Sequence, residues 1–181
     1  YMEYHLETER LLIRELRVTD LEGMFELDSN TEVHKYLGNK PITTKEEAKN
    51  TIQSIRNQYT ERGIGRFAVI EKKSGKFIGW SGFKLNKGKK ETLNGFDHFI
   101  DIGYRFIPKY WKKGYGLESA IACLDFGFKT LNYDIIYGAA DLKNIGSNTI
   151  LQRIGMDFVN EFEYDNITVN WYQLKKENYE N

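Results

Sequence analysis

Ten consecutive residues, Tyr110-Trp111-Lys112-Lys113-Gly114-Tyr115-Gly116-Leu117-Glu118-Ser119, carry the residue types of an anion site. Two lysines and two glycines stand between an extended apolar run, Phe99 to Ile107, and an amphipathic run, Leu117 to Leu131. A strand, a glycine-rich turn and a helix in that order aim free N–H groups and the positive end of a helix dipole at one point. Gly114 and Gly116 let the backbone approach a phosphate with no Cβ in the way. The chemistry so indicated is phosphate binding, a ligand class without a reaction.

Two common phosphate motifs are excluded. No Gly followed four residues later by Gly-Lys-Ser/Thr occurs. A dinucleotide fingerprint needs a third glycine where Ser119 stands, and Pro108 to Lys113 make the turn too long for it. A second chemical feature is Asp101, a carboxylate inside the apolar run Ile100 to Ile107, where charged residues are disfavoured. Burial there raises a carboxylate's pKa and suits it to accept a proton; a cross-strand ion pair is the structural alternative. Three scattered histidines, His5, His34 and His98, have no metal-binding spacing and read as satisfied or exposed side chains.

The elements that position these residues follow from periodicity. Leu11 to Leu16, Phe67 to Glu71, Phe77 to Leu85 and Phe99 to Ile107 read as strands, the last stopped by Pro108. Ile135 to Ala140 is another, and Met156 to Tyr164 with Ile167 to Leu174 form a hairpin around Asp165-Asn166. Thr19-Asp20-Leu21-Glu22 and Thr44-Lys45-Glu46-Glu47 read as capping boxes, opening helices to about Asp28 and Glu61. A helical turn around Glu32 to Leu37 lies between them, Asn86 to Gly95 is a polar loop, and Asn144 to Ile154 is a short helix. Strand, helix, strand, helix after residue 99 requires a right-handed crossover and a parallel pair. The expectation is one α/β domain over residues 1–181, with a mixed sheet of about seven strands flanked by helices.

Composition sets outer bounds. The 181 residues suit one domain with its own core. Lysine plus arginine and aspartate plus glutamate balance at 26 each, so no global field favours nucleic acid or membrane. The lone Cys123 falls on the apolar side of its helix and reads as a buried thiol. That usage, with no apolar run of membrane-span length and no signal-type segment, points to a reducing cytoplasm.

The segment from Ile102 to Ala120 resembles the acetyl-CoA motif of the GNAT N-acetyltransferases, and most of all the RimJ/RimL-like branch of ribosomal-protein N-terminal acetyltransferases. Asn144-x-x-Ser147 with Arg153-x-Gly155-Met156 is similar to that family's second signature. Thr8-Glu9-Arg10-Leu11-Leu12-Ile13-Arg14, the Asp20 helix and Ile78-Gly79 match the branch in order. The chain departs at three points: Trp111 replaces a glutamine or arginine, Leu151 replaces a tyrosine that serves relatives as acid to the leaving thiolate, and Met156 replaces an aromatic.

The resemblance implies a sheet with a splayed parallel pair and acetyl-CoA as cosubstrate, with no metal. It implies acetyl transfer to an amine: a peptide N-terminus, a polyamine or another small amine. A catalytically silent CoA-binding module is the alternative, and a monomer or homodimer is expected. The pantetheine arm would pair with backbone freed near Tyr104 and Phe106. Main-chain N–H groups of Lys112, Lys113, Gly114, Tyr115 and Gly116 would hold the pyrophosphate, with Asn144 on the pantetheine and Arg153 toward the adenine or phosphate end. Asp101 is the candidate base, with Glu161 and Glu163 as rivals, and Ser147 would lie near the thiol. The segments Asn30 to Thr43 and Asn86 to Gly95 would choose the acceptor and carry no recognisable code.

Overall fold

Alternation of apolar residues builds a single mixed sheet in the computed structural model, which describes residues 3–179. Its strands are β1 (His5–Glu7), β2 (Leu11–Glu15), β3 (Arg66–Glu71), β4 (Lys76–Lys87), β5 (His98–Phe106), β6 (Ile135–Asp141), β7 (Asp157–Tyr164) and β8 (Ile167–Lys175). The spatial order is β1-β2-β3-β4-β5-β6-β8-β7, antiparallel throughout except for β5 and β6. Eight strands replace the seven expected. The extra one, His5–Glu7, is three residues at the sheet edge with alternate residues exposed, too short to show a period in the sequence.

Helices α1 (Leu21–Asp28), α2 (Lys45–Arg62), α3 (Tyr115–Lys129), α4 (Ile145–Arg153) and the short α5 (Lys176–Tyr179) complete the chain. The expected box at Thr44 forms: Glu47 N–H donates to Thr44 Oγ1 (3.2 Å), and Thr44 N–H donates to Glu47 Oε2 (3.0 Å). Gly63, at φ 76°, ends α2 in the left-handed region. The box expected at Thr19 does not form. Asp20 is instead buried, accepts the Arg17 N–H (2.8 Å) and pairs with both terminal nitrogens of Arg14 at 2.9 Å. The Asp20 carboxylate thus closes the turn that starts at Arg17, ahead of the expected box, while a bidentate arginine fixes it in place.

Register fixes which side chains share a face. Trp80, Gly82 and Lys84 on β4 stand opposite Arg105, Gly103 and Asp101 on β5. Ser81 and Phe83 therefore face the other way, where α3 packs: Ser119 Oγ donates to Ser81 Oγ (3.0 Å), and Gly127 leaves room for the Phe83 ring. Cys123 lies there too, fully buried, and burial pushes its thiol up to about 12. On the Trp80 face a smaller aromatic cluster of Phe99, Tyr137 and Trp171 is capped by Phe96, stacked on Trp171 at 5.7 Å. The segment expected as loop from Asn86 is shorter than read, because β4 runs on to Lys87.

Helix α4 is anchored by Asn148, a buried polar residue with all its groups met. Its Nδ2 donates to the carbonyls of Asp141 (2.9 Å) and Asn144 (2.7 Å), and its Oδ1 accepts from Asn170 (2.9 Å) and Tyr172 (2.7 Å). Removing it orphans two buried donors, each costing roughly 1–3 kcal/mol. Asn148→Ala is expected to destabilise the protein by about 2–4 kcal/mol, read as a lowered urea midpoint with unchanged slope.

Candidate active site

The parallel pairing of β5 with β6 is confined to Asp101 opposite Tyr137. Beyond that point β5 stays paired with β4 as far as Phe106, and β6 stays paired with β8 as far as Asp141. The two strands thus part into a V. Ile107 N–H donates to Ile78 O on the β4 side (2.9 Å), so by alternation the backbone groups of Phe106 and Tyr104 face the V. The indole of Trp111 confirms this by donating to Phe106 O (2.7 Å).

At the open end of the V lies the glycine-rich turn. Lys112 and Gly114 adopt left-handed φ values of 61° and 83°. Among the described residues, the N–H groups of Lys112, Lys113 and Gly114 meet no acceptor, and those of Tyr115, Gly116 and Leu117 open α3. Alternating left-handed residues gather N–H groups into an anion-binding concavity. The side chains of Lys112 and Lys113 are exposed beside it.

The expected residues take unequal parts. Tyr115 offers only its main chain, because its side chain is buried and its hydroxyl donates to Glu71 Oε2 (2.5 Å). That bond holds the Glu71 carboxyl below its ordinary range and pushes the Tyr115 phenol up. Gly116 does not leave space for a phosphate: a Cβ there meets Ile150 Cδ1 at 3.0 Å and Phe106 at 3.8 Å, between α3 and α4. Asn144 is the cap of α4, its Oδ1 accepting the Ser147 N–H (3.1 Å). Its Nδ2 has no acceptor among the described residues and stays available to a ligand. The Tyr104 hydroxyl reaches across from β5 to the first turn of α4, bonding Ser147 O (3.0 Å) and lying 3.2 Å from Ser147 Oγ. Burial pushes the Tyr104 phenol up. Leu151 is buried against Gly138 and supplies no polar group. Arg153 is exposed in the last turn of α4, about 12 Å along the axis from its start.

Asp101 stands in a cross-strand ion pair, the alternative the sequence left open beside the base role, with an arginine as its partner. Arg66 Nη1 lies 2.8 Å from its Oδ1, and Asn86 Nδ2 donates to its Oδ2 (3.2 Å). Arg66 arrives from two strands away by lying flat over Gly82 and Gly103, which face each other. It donates to Gly82 O (2.8 Å), and a Cβ on Gly103 would meet its guanidinium at 3.0 Å. Trp80 sits between Arg66 (5.2 Å) and Arg105 (5.1 Å). Arg105 in turn pairs with the buried Asp28 at 2.7 Å. His34 packs 3.9 Å from Asp28, buried with its Nε2 unpartnered rather than satisfied, and burial lowers its pKa.

The rival carboxylates lie elsewhere. Glu161 is registered with Asn170, whose side chain bonds α4, so it stands on the face opposite Asp101. Glu163 accepts from Thr168 Oγ1 (2.6 Å). Both are exposed. Sequence reasoning missed Arg66 and Arg105, and gave Arg10 no role beyond its motif. The interior glycines Gly82 and Gly103 were the available signal for Arg66, since glycine inside a strand marks a close approach. Among the described residues no group of His, Cys, Asp and Glu is arranged to hold a metal ion.

Residues 10–157 match the family model described as an acetyltransferase (GNAT) domain. An uncharacterized N-acetyltransferase of Bacillus subtilis, YnaD, is 33% identical over 152 residues, spanning 84% of this chain and 82% of its own. The crystal structure of a GNAT-family acetyltransferase from Bacillus anthracis superposes with a TM-score of 0.77 at 28% identity, covering 96% of this chain and 99% of that one. RimL, a ribosomal L7/L12 alpha-N-protein acetyltransferase, shares the fold with a TM-score of 0.76 at 16% identity, over 97% of this chain and 96% of its own.

Two outcomes follow. Glu71, with its folded pKa lowered from 4.5, stabilises the protein above that pH, and the contribution is lost as pH falls through the folded value. Tyr115→Phe should therefore melt lower than wild type at pH 7, with the gap narrowing below about pH 4.5 in a series of calorimetric scans. Gly114→Ala places a Cβ at φ 83° and 3.2 Å from Arg10 Nη2. The strain of about 1–2 kcal/mol should flatten the turn's preferred geometry and weaken CoA binding several-fold by calorimetry.

Proposed function

We propose that this chain, which belongs to the GNAT family and is an acyl-CoA-dependent N-acetyltransferase, moves an acetyl group from acetyl-CoA to a primary amine, a protein N-terminus or a small amine such as a polyamine, by direct attack with both substrates bound. The observation that carries the proposal is the V opening beyond Asp101 and Tyr137, with unpaired backbone along one wall and an anion cradle at its mouth. The residues present fit the donor. N–H groups from Lys112 to Gly116 suit a pyrophosphate, with the Lys112 and Lys113 side chains adding positive charge. The free backbone of Tyr104 and the Phe106 N–H suit the amides of a pantetheine arm. Asn144 Nδ2 flanks that arm, and Arg153 serves the adenosine end.

Bound acetyl-CoA supplies a thioester carbonyl open to attack. The protein's share is to place, deprotonate and stabilise. Asp101 lies at the apex of the V and receives the amine proton through a bridging water, its carboxylate oriented by Arg66 and Asn86. The Ser147 hydroxyl stands on the α4 side of the V beside Tyr104, whose own proton is held by the Ser147 carbonyl, and it donates a hydrogen bond to the departing sulfur in place of the tyrosine that Leu151 replaces. An α-amine, with a pKa near 8, needs less from its base than a lysine near 10.4. RimL, which acts on the α-amine of L7/L12, supports the same acceptor class on this fold.

Asp101→Asn keeps the shape and removes the basic oxygen. It should lower kcat by about 10²-fold while CoA affinity stays nearly unchanged. The acceptor is found first by thioester release over a panel of peptide N-termini, polyamines and aminoglycosides. Normal turnover by Asp101→Asn with that acceptor would remove Asp101 from the mechanism and leave positioning of an already neutral amine as the source of rate.

A further inference from the structure

The cradle at Lys113 and Gly114 is held from outside by a residue far away in sequence. Arg10, at the turn into β2, donates from Nη1 to the Lys113 carbonyl (2.8 Å) and from Nε to Glu118 Oε1 (2.7 Å). Its backbone N–H donates to Glu118 Oε2 (3.1 Å), as does the Thr8 hydroxyl (2.5 Å). The guanidinium also lies 4.3 Å from the centre of the Tyr115 ring, which is itself fixed through Glu71 on β3.

Two consequences follow from elementary geometry and charge. In a planar trans peptide the C=O and the next N–H point in opposite directions. Holding the Lys113 carbonyl against Arg10 therefore turns the Gly114 N–H away from Arg10, into the concavity. Secondly, Glu118 sits in the first turn of α3, where its charge would repel an anionic ligand. Burial alone would raise its pKa. The bonds from Thr8 and Arg10 outweigh that and hold it below the ordinary value, a charged carboxylate fully engaged on the far side.

We propose that Arg10 is the positioning residue of the pyrophosphate site: its fork fixes the Lys113–Gly114 peptide with the N–H inward and cancels the Glu118 charge beside the cradle. The proposal rests on the reading of Lys112 to Gly116 as that cradle. It makes the N-terminal edge of the sheet, 103 positions before Lys113, part of donor binding.

The test compares two ligands by titration calorimetry. CoA carries the pyrophosphate; pantetheine lacks it and occupies only the V. Arg10→Met should weaken CoA by about tenfold or more, the scale of lost hydrogen bonds to charged groups, and leave pantetheine within about twofold of wild type. Arg10→Lys keeps the charge but cannot bond Glu118 and Lys113 together, so it should remain at least about threefold weaker for CoA. If Arg10→Met does not fold, Arg10→Lys carries the same comparison. Wild-type CoA affinity in both variants would overturn the proposal, as would an equal loss for CoA and pantetheine. Failure of the wild-type protein to bind CoA would overturn the cradle reading as well, and the same titration series separates the two failures.

Discussion

The pairing of β5 with β6 stops at one residue pair, and the rest of the molecule is arranged around that stop. Interior strands seldom leave backbone groups unmet, because each unpaired buried group costs about as much as a lost hydrogen bond. Here β5 is secured by nine registered pairs to β4, and β6 by seven to β8, so each strand is held by its outer neighbour while the inner edges separate. Protein groups meet part of the exposed edge. Trp111 takes the Phe106 carbonyl and Asn148 takes the Asp141 carbonyl. What they leave open is a slot whose polarity matches a chain of amides, and α3 and α4 flank it because their packing partners lie on that face.

Arginine forks do much of the long-range fastening. Arg10 joins the N-terminal edge to α3, Arg66 joins β3 to β5, and Arg105 joins β5 to α1. Each pairs with a carboxylate that is itself mostly shielded from water. Such pairs add little net stability against an apolar alternative, since desolvation offsets attraction. Their worth is geometric: a planar fork satisfies two acceptors at fixed angles, which a lysine cannot do. The zero net charge of the chain therefore conceals an ordered set of local pairs around the V.

Local signals were legible in the sequence and distant ones were not. Thr44 and Glu47 cap α2 as expected because a capping box involves only residues three apart. The glycine turn was readable for the same reason, and left-handed φ at Lys112 and Gly114 agrees with it. Asp20 departs from the expected box because it accepts the Arg17 N–H and is held by Arg14, six residues earlier, so the turn begins at Arg17 and not at Thr19. Tyr115 lies inside the turn motif, yet its side chain answers to Glu71, 44 residues away. Asn144 matched a ligand motif and a helix cap at once, and only coordinates divide its oxygen from its nitrogen. Asp101 stood out as a charge in an apolar strand; its partner, 35 residues earlier and two strands over, could not be deduced from that strand alone.

The two facing glycines, Gly82 and Gly103, connect these points. A side chain at Gly103 would lift Arg66 off the sheet and away from Asp101, while one at Gly82 would press on Phe67. The trough thus fixes the carboxylate at the one place where β5 and β6 still touch, on the face turned toward Trp80 and Arg105. Tyr104 and Ser147 meet on the opposite face, alongside α4. A carboxylate on one side and the Ser147 hydroxyl on the other, separated by the thickness of a strand, can serve opposite ends of one transfer: proton removal where the amine enters, hydrogen bonding where the sulfur leaves. Alternation along a single strand is what puts them there, because Asp101 and Tyr104 are an odd number of residues apart on β5.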